Sequence, residues 1–156
     1  MKRADSILAY LTESNADVLV LKEVFHITVS KRLLKVLSEK YTYHSCRGKR
    51  SWLAVSFRVC ILTQDSIISE SGVYFKRAKG SDGLAKKGVL MVNMNHKGKL
   101  ISIYGTHLQA SGGGEGNVIR KIQLKQLSTF ISEAPDINEV ILAGDFNTRV
   151  ESNNFE

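Results

Sequence analysis

Three apolar runs in this sequence each end on side chains able to do chemistry. Val18-Leu19-Val20-Leu21 runs into Lys22-Glu23, Ile101-Ser102-Ile103-Tyr104-Gly105 into Thr106-His107, and Val140-Ile141-Leu142-Ala143-Gly144 into Asp145-Phe146-Asn147. Ligands of α/β sheets collect at the carboxyl ends of strands, where a rigid element hands over to a loop, so these side chains are expected to converge on one cleft. Singly, each has a plainer reading: a solvated Glu, a packed or surface His, an Asp-x-Asn turn. Taken together, two carboxylates and an amide oxygen with no cysteine nearby are hard ligands, which suit Mg²⁺ or Mn²⁺ and disfavour zinc. A metal of that kind polarises a phosphoryl oxygen, while a histidine in the same cleft hydrogen-bonds the phosphate or shuttles a proton. Other chemistries lack their motifs. There is no Gly-x-Ser-x-Gly, and Gly83-Leu84-Ala85-Lys86-Lys87-Gly88 has the glycine spacing of a phosphate-binding loop but continues into Val89-Leu90 instead of Lys-Ser/Thr. The glycine-rich residues 111–116 read as a flexible loop.

The elements that must position these residues follow from periodicity. Ala4, Ile7, Leu8 and Leu11 recur at helical spacing up to Asn15, and Leu33, Leu34 and Leu37 do so in a helix expected to start near Ser30. Residues 52–63 are dense in β-formers, 73–75 read as a short strand, and 88–95 pair with 100–106 across His96-Lys97-Gly98-Lys99 as a hairpin. A helix with Ile119, Ile122, Leu127, Phe130 and Ile131 inward then precedes the strand at 140–143. Helices before and after a block of adjacent strands predict one α/β layered domain with a mixed sheet.

Composition narrows the partners. Twenty-two Lys and Arg against fifteen Asp and Glu give 156 residues a net charge of +7, which favours an anionic partner: nucleic acid, a phospholipid headgroup or a phosphate ester. The basic residues, Lys87 and Arg120 among them, are scattered as on an ordinary solvated surface, and no basic stretch is interleaved with aromatics as in a single-strand binder. No run approaches the roughly 20 apolar residues of a membrane-spanning helix, and Asp5, Ser6 and Glu13 interrupt the start where a secretory signal would be apolar. Cytoplasmic and exported locations both stay open. Cys46 and Cys60 lack Cys-x-x-Cys spacing, so a reduced thiol at Cys60, without zinc or an obligatory disulfide, is the expectation.

At these same residues the chain resembles the endonuclease/exonuclease/phosphatase superfamily of metal-dependent phosphodiesterases, through ADVLVLKEVF, GTHLQA, RKIQLKQL and VILAGDFN in that order. It is most similar to neutral sphingomyelinases of the bacterial type: KEVFHITVSKRLLKVLSEKYTYH looks like their Gln-Glu-Val-Phe-Asp segment and following helix, and SDGLAKKGV like their Asp-x-Leu-x-x-Lys-Gly loop. The resemblance implies a four-layered α/β sandwich of the DNase/sphingomyelinase type with two central sheets, residues 1–156 forming one partial domain, incomplete at both ends. It implies Glu23 as metal ligand for Mg²⁺, Asp145 and Asn147 as the pair positioning water and phosphate, His107 as the phosphate-facing histidine, and Asp82 in a loop beside the site. The implied substrate is a phosphodiester, either a lipid headgroup at a membrane surface or nucleic acid. Lys22 stands where the family has Gln, and His26 where sphingomyelinases have Asp. The family's first-strand Asn and terminal Asp-His base have no counterpart in this sequence, so weak activity is expected of it.

Overall fold

A computed structural model describes residues 2–23, 27–47, 59–76, 78, 87–110, 112–134 and 139–148. Helix α1 (Lys2–Glu13), strand β1 (Val18–Leu21), helix α2 (Ile27–Leu37) and strands β2 (Tyr43–Arg47) and β3 (Val59–Thr63) come first. Strand β4 (Ile67–Tyr74), the hairpin β5 (Gly88–His96) and β6 (Lys99–His107), helix α3 (Gly113–Ser132) and strand β7 (Glu139–Asp145) follow. β1, β3 and β2 form one sheet in that order; β4, β5, β6 and β7 form the other. The first sheet is antiparallel, and the expected mixed character lies in the second, where β6 and β7 run parallel.

Three apolar clusters stack these elements into four layers. Val59 and Ile61 of β3 meet Leu90, Val92, Met94, Ile101 and Ile103 between the sheets. Alternate residues of the first sheet, Leu19, Cys60 and Leu62, turn outward onto Leu33 and Leu37 of α2 and Leu8 and Leu11 of α1. Val89, Met91 and Tyr104 of the second sheet turn outward onto Leu127, Leu124 and Phe130 of α3. The central strands β3 and β5 are apolar along most of their length because both faces are covered. The four-layered α/β sandwich is therefore present.

The β5–β6 hairpin forms as the sequence predicts, one residue longer at its turn end and closed by Lys97-Gly98. Both turn residues have positive φ, 51° and 85°, the conformation a two-residue hairpin turn requires and Gly98 adopts at little cost. α2 begins at Ile27, three residues before the expected Ser30. β4 is longer than residues 73–75 because it is an edge strand, whose polar Ser69-Glu70-Ser71 give no apolar signal. Of the β-rich stretch 52–63, the residues before Val59 lie outside the described part.

Two local expectations are overturned. Gly113 to Gly116, read as part of a flexible loop, form the first turn of α3, with Gly116 buried. Cys46 and Cys60 form a disulfide. Spacing does not reveal it, because the pair is made by register: Cys46 lies directly opposite Cys60 in the antiparallel β2–β3 ladder, with Cα atoms 4.2 Å apart.

Candidate active site

The ends of β6 and β7 lie side by side, since His107 is the register partner of Asp145. β1 ends beside them across the sandwich and supplies Lys22 and Glu23. His107 Nε2 is 3.8 Å from Glu23 Oε1, and Lys22 Nζ forms an ion pair with Asp145 Oδ2. The other Asp145 oxygen accepts from the Asn147 backbone N–H at 2.9 Å, and Asn147 Nδ2 donates to the Leu108 carbonyl at 3.0 Å. Glu23, His107, Asp145 and Asn147 thus share one place in the fold. Asp82 lies outside the described residues.

The local backbone is unusual at two of these positions. Glu23 (φ 59°) and Asn147 (φ 50°) both adopt the left-handed conformation, which Asn tolerates and Glu adopts rarely. Such conformations persist only where surrounding structure imposes them and cluster at functional sites.

Two basic residues taken for surface charges are buried. Lys87 is 3% exposed, and its ammonium lies 3.2 Å from His107 Nδ1 and 3.0 Å from Nε2. An imidazolium has no acceptor, so this contact requires a neutral ring. Arg120, 4% exposed, donates to the Gln109 carbonyl at 3.0 Å, while the Gln109 N–H donates to Gln123 Oε1 at 2.9 Å. Helix α3 thereby pins the loop that follows His107. The signal for both lay in the motifs: Lys87 precedes the glycine of SDGLAKKGV, and Arg120 and Gln123 lie in RKIQLKQL.

Electrostatics follow from these contacts. Burial pushes the His107 imidazole below its ordinary 6.5, the Lys87 ammonium adds to the effect, Glu23 and Asp145 pull the other way, and Lys22 lowers it a little further. The hydrogen bond from Lys22 holds the Asp145 carboxyl below the usual carboxylate range. The site rests with a neutral imidazole and an ionised aspartate. Unfolded, His107 takes up its proton near 6.5; folded, it does so only at lower pH. Its contribution to stability is thus complete above 6.5 and is lost as pH falls from there through the folded value. Urea titrations between about pH 7.5 and 5.5 should show the wild type losing more stability than His107→Gln. Equal losses would contradict a depressed imidazole.

Among the described residues, no three His, Cys, Asp or Glu side chains gather as a metal cage. A hard cation fits nonetheless, because Mg²⁺ keeps several waters and takes only one or two carboxylates. Glu23 suits that role: its side chain is 57% exposed, whereas Asp145 is engaged by Lys22.

No family model matches the chain. Sphingomyelinase C of Listeria ivanovii is 30% identical over 166 residues, which span 94% of this chain and 50% of the relative. The chain therefore spans about half the length of the curated relatives it matches. The beta toxin of Staphylococcus aureus superposes with a TM-score of 0.88 at 28% identity, covering 99% of this chain and 61% of the toxin, and a mutant of that toxin was solved with bound magnesium ions. TDP2 of D. rerio, solved with a single-strand DNA product, shares the fold at a TM-score of 0.71 and 19% identity. Among the described residues no helix is long and apolar enough to cross a membrane.

Proposed function

We propose that this chain, whose homologues are bacterial sphingomyelinases C, carries the phosphodiester-hydrolysing groups of a sphingomyelinase-type enzyme and directs water at the phosphorus of sphingomyelin, releasing phosphocholine. The observation that supports this most is the meeting of Glu23, His107, Asp145 and Asn147 at three strand ends, with the Lys22 and Lys87 ammonium groups among them. Glu23, with water completing the shell, would hold Mg²⁺, which polarises a phosphoryl oxygen when bound. Asp145 is the acceptor that orients the attacking water: its oxygens already take the Asn147 N–H and the Lys22 ammonium, yet a carboxylate has about four lone-pair sites and retains room for one more donor. His107, with the Lys87 ammonium close to both of its ring nitrogens, is held at the end of β6 facing the phosphate. Lys87 and Lys22 offset the phosphate's charge. Asp82 enters this reading through the resemblance of SDGLAKKGV alone, as a substrate-side residue.

A nuclease would use the same groups, and the net charge of +7 supports that second reading. Sphingomyelin vesicles, plasmid DNA and bis(p-nitrophenyl) phosphate, assayed side by side with and without Mg²⁺, separate them. Cleavage of sphingomyelin in preference to DNA is expected. DNA cleavage alone would favour the nuclease, and Mg²⁺ binding without any hydrolysis a binding module. Calorimetric titration should show weak Mg²⁺ binding that Glu23→Gln removes. Equal binding by both proteins would exclude Glu23 as the ligand.

A further inference from the structure

Helix α3 buries one face and leaves another open. Gly116, Ile119, Gln123 and Leu127 are buried against the sheet. A second row, Ile122, Gln126, Thr129 and Glu133, keeps a spacing of three and four residues, so it runs along one side of the helix. Ile122, which periodicity places inward, is only partly buried, and Thr129 and Glu133 are exposed. This side faces the end of the edge strand β4, where Val73 and Tyr74 are 37% and 42% exposed. Between helix and strand lies a groove of about 530 Å³ whose wall is mostly apolar, contributed by Val73, Tyr74, Ile122 and Phe130.

The groove is held in shape by contacts of its own. The Lys76 backbone N–H donates to Gln126 Oε1 at 2.9 Å, which ties the chain leaving β4 to the helix. Phe130 meets the buried Tyr104 ring edge to face, with centroids 6.0 Å apart. Mostly apolar clefts of roughly 300–1,000 Å³ with a few placed polar groups are the form that small-molecule sites take. Here the placed groups are charged. Lys76 and Lys125 both line the groove, and among the described residues neither ammonium has an ion-pair partner. Glu133 lies two turns beyond Lys125, about 12 Å along the helix. An anion is therefore drawn to the lysine end and repelled from the other, which leaves its apolar body to lie along the wall. None of these residues belongs to the candidate active site.

We propose that the groove between the end of β4 and α3 is a binding site for a small amphiphilic anion, a monocarboxylate with an apolar chain, whose head sits between Lys76 and Lys125. Charge complementarity selects this occupant. A neutral apolar molecule leaves both ammonium groups unused, and a cation meets two like charges. An acidic peptide added as a strand along β4 is the poorer fit, because Ser69-Glu70-Ser71 sets a carboxylate and two hydroxyls on that edge, the kind of sequence that keeps an edge from pairing further. The site stands apart from the phosphodiester chemistry proposed above, and it is read by binding alone.

Anilinonaphthalene sulfonate, itself an apolar anion, serves as a fluorescent reporter, and decanoate is titrated against it on the whole chain. Decanoate should displace the reporter at a concentration at least about tenfold lower than decanol, which has the same chain without the charge. Lys125→Glu should weaken decanoate binding at least about tenfold, since it turns an attraction into a repulsion. Lys121→Glu, at an exposed lysine one turn earlier that does not line the groove, should leave binding unchanged. Thr129→Trp fills the groove from an exposed position and should abolish displacement while the protein still melts cooperatively. Decanol binding as tightly as decanoate, equal weakening by the Lys121 and Lys125 variants, or full binding to Thr129→Trp would each overturn the proposal. Adsorption to anionic vesicles without binding of dissolved decanoate would overturn it too, by showing a charged surface in place of a groove.

Discussion

Assayed beside the Listeria ivanovii sphingomyelinase C, this chain is expected to hydrolyse sphingomyelin at least about 10²-fold more slowly, and Asp145→Asn should remove what remains. The reason lies in the protonation states at the site. General base catalysis contributes about 10²–10⁴-fold and needs a group with a free acceptor and a pKa near the working pH. His107 is neutral but spends a ring nitrogen on Lys87. Asp145 is held below the ordinary carboxylate range by Lys22, which makes it a good anchor for a water and a poor acceptor of its proton. What the described groups supply is positioning and charge compensation, without a group suited to take the water's proton. Asp145→Asn tests this cleanly, because an amide oxygen can still accept from the Asn147 N–H, and the Lys22 it releases is 42% exposed and can be solvated. Turnover matching that of the relative would sink the argument by revealing a base unaccounted for here, and a folded Asp145→Asn protein of undiminished activity would remove Asp145 from the reaction.

The parts of this site legible in the sequence were those whose chemistry sits at the end of an apolar run. Glu23, His107, Asp145 and Asn147 stand out because a rigid, recognisable strand precedes each, and the β5–β6 hairpin because a two-residue Lys-Gly turn lies between two strand-like segments. What sequence concealed is what pairing decides. Lys87 and Arg120 read as surface charges because burial of a cation depends on acceptors brought from elsewhere, the His107 ring and the Gln109 carbonyl. The disulfide was hidden for the same reason: Cys46 and Cys60 meet only once β2 and β3 settle in register. Lys22 is the instructive departure. Where the resembled family has a neutral Gln, this chain places an ammonium on the aspartate that would orient water, so one substitution alters the charge of the site without altering the fold around it.

The largest effect on stability should come from a residue with no side chain. Gly144 immediately precedes Asp145 and pairs with Thr106 across the parallel β6–β7 ladder. Its φ of 152° is one that L-residues rarely adopt, and a Cβ there would lie 2.0 Å from the Thr106 carbonyl oxygen and 2.8 Å from its carbon. The obstacle is backbone, and it is fixed: Thr106 is fully buried, and its hydroxyl donates to the Gly88 carbonyl at 2.9 Å, tying β6 to β5. Gly144→Ala must therefore push the end of β7 off β6. Strain at the rare φ and overpacking together should lower stability by about 3–5 kcal/mol, which for a chain of this size is a fall of about 10 °C in Tm. The displaced strand end carries Asp145 away from His107 and Lys22, so activity should fall as well, even below the melting temperature. Gly98→Ala is the control, for Gly98 also has positive φ but a Cβ there meets nothing within 4 Å. It should lower stability by only about 1 kcal/mol. If the two variants melt together, the contact with Thr106 is not what holds the end of β7, and the placement of Asp145 must be set by the Lys22 ion pair and the Asn147 turn instead.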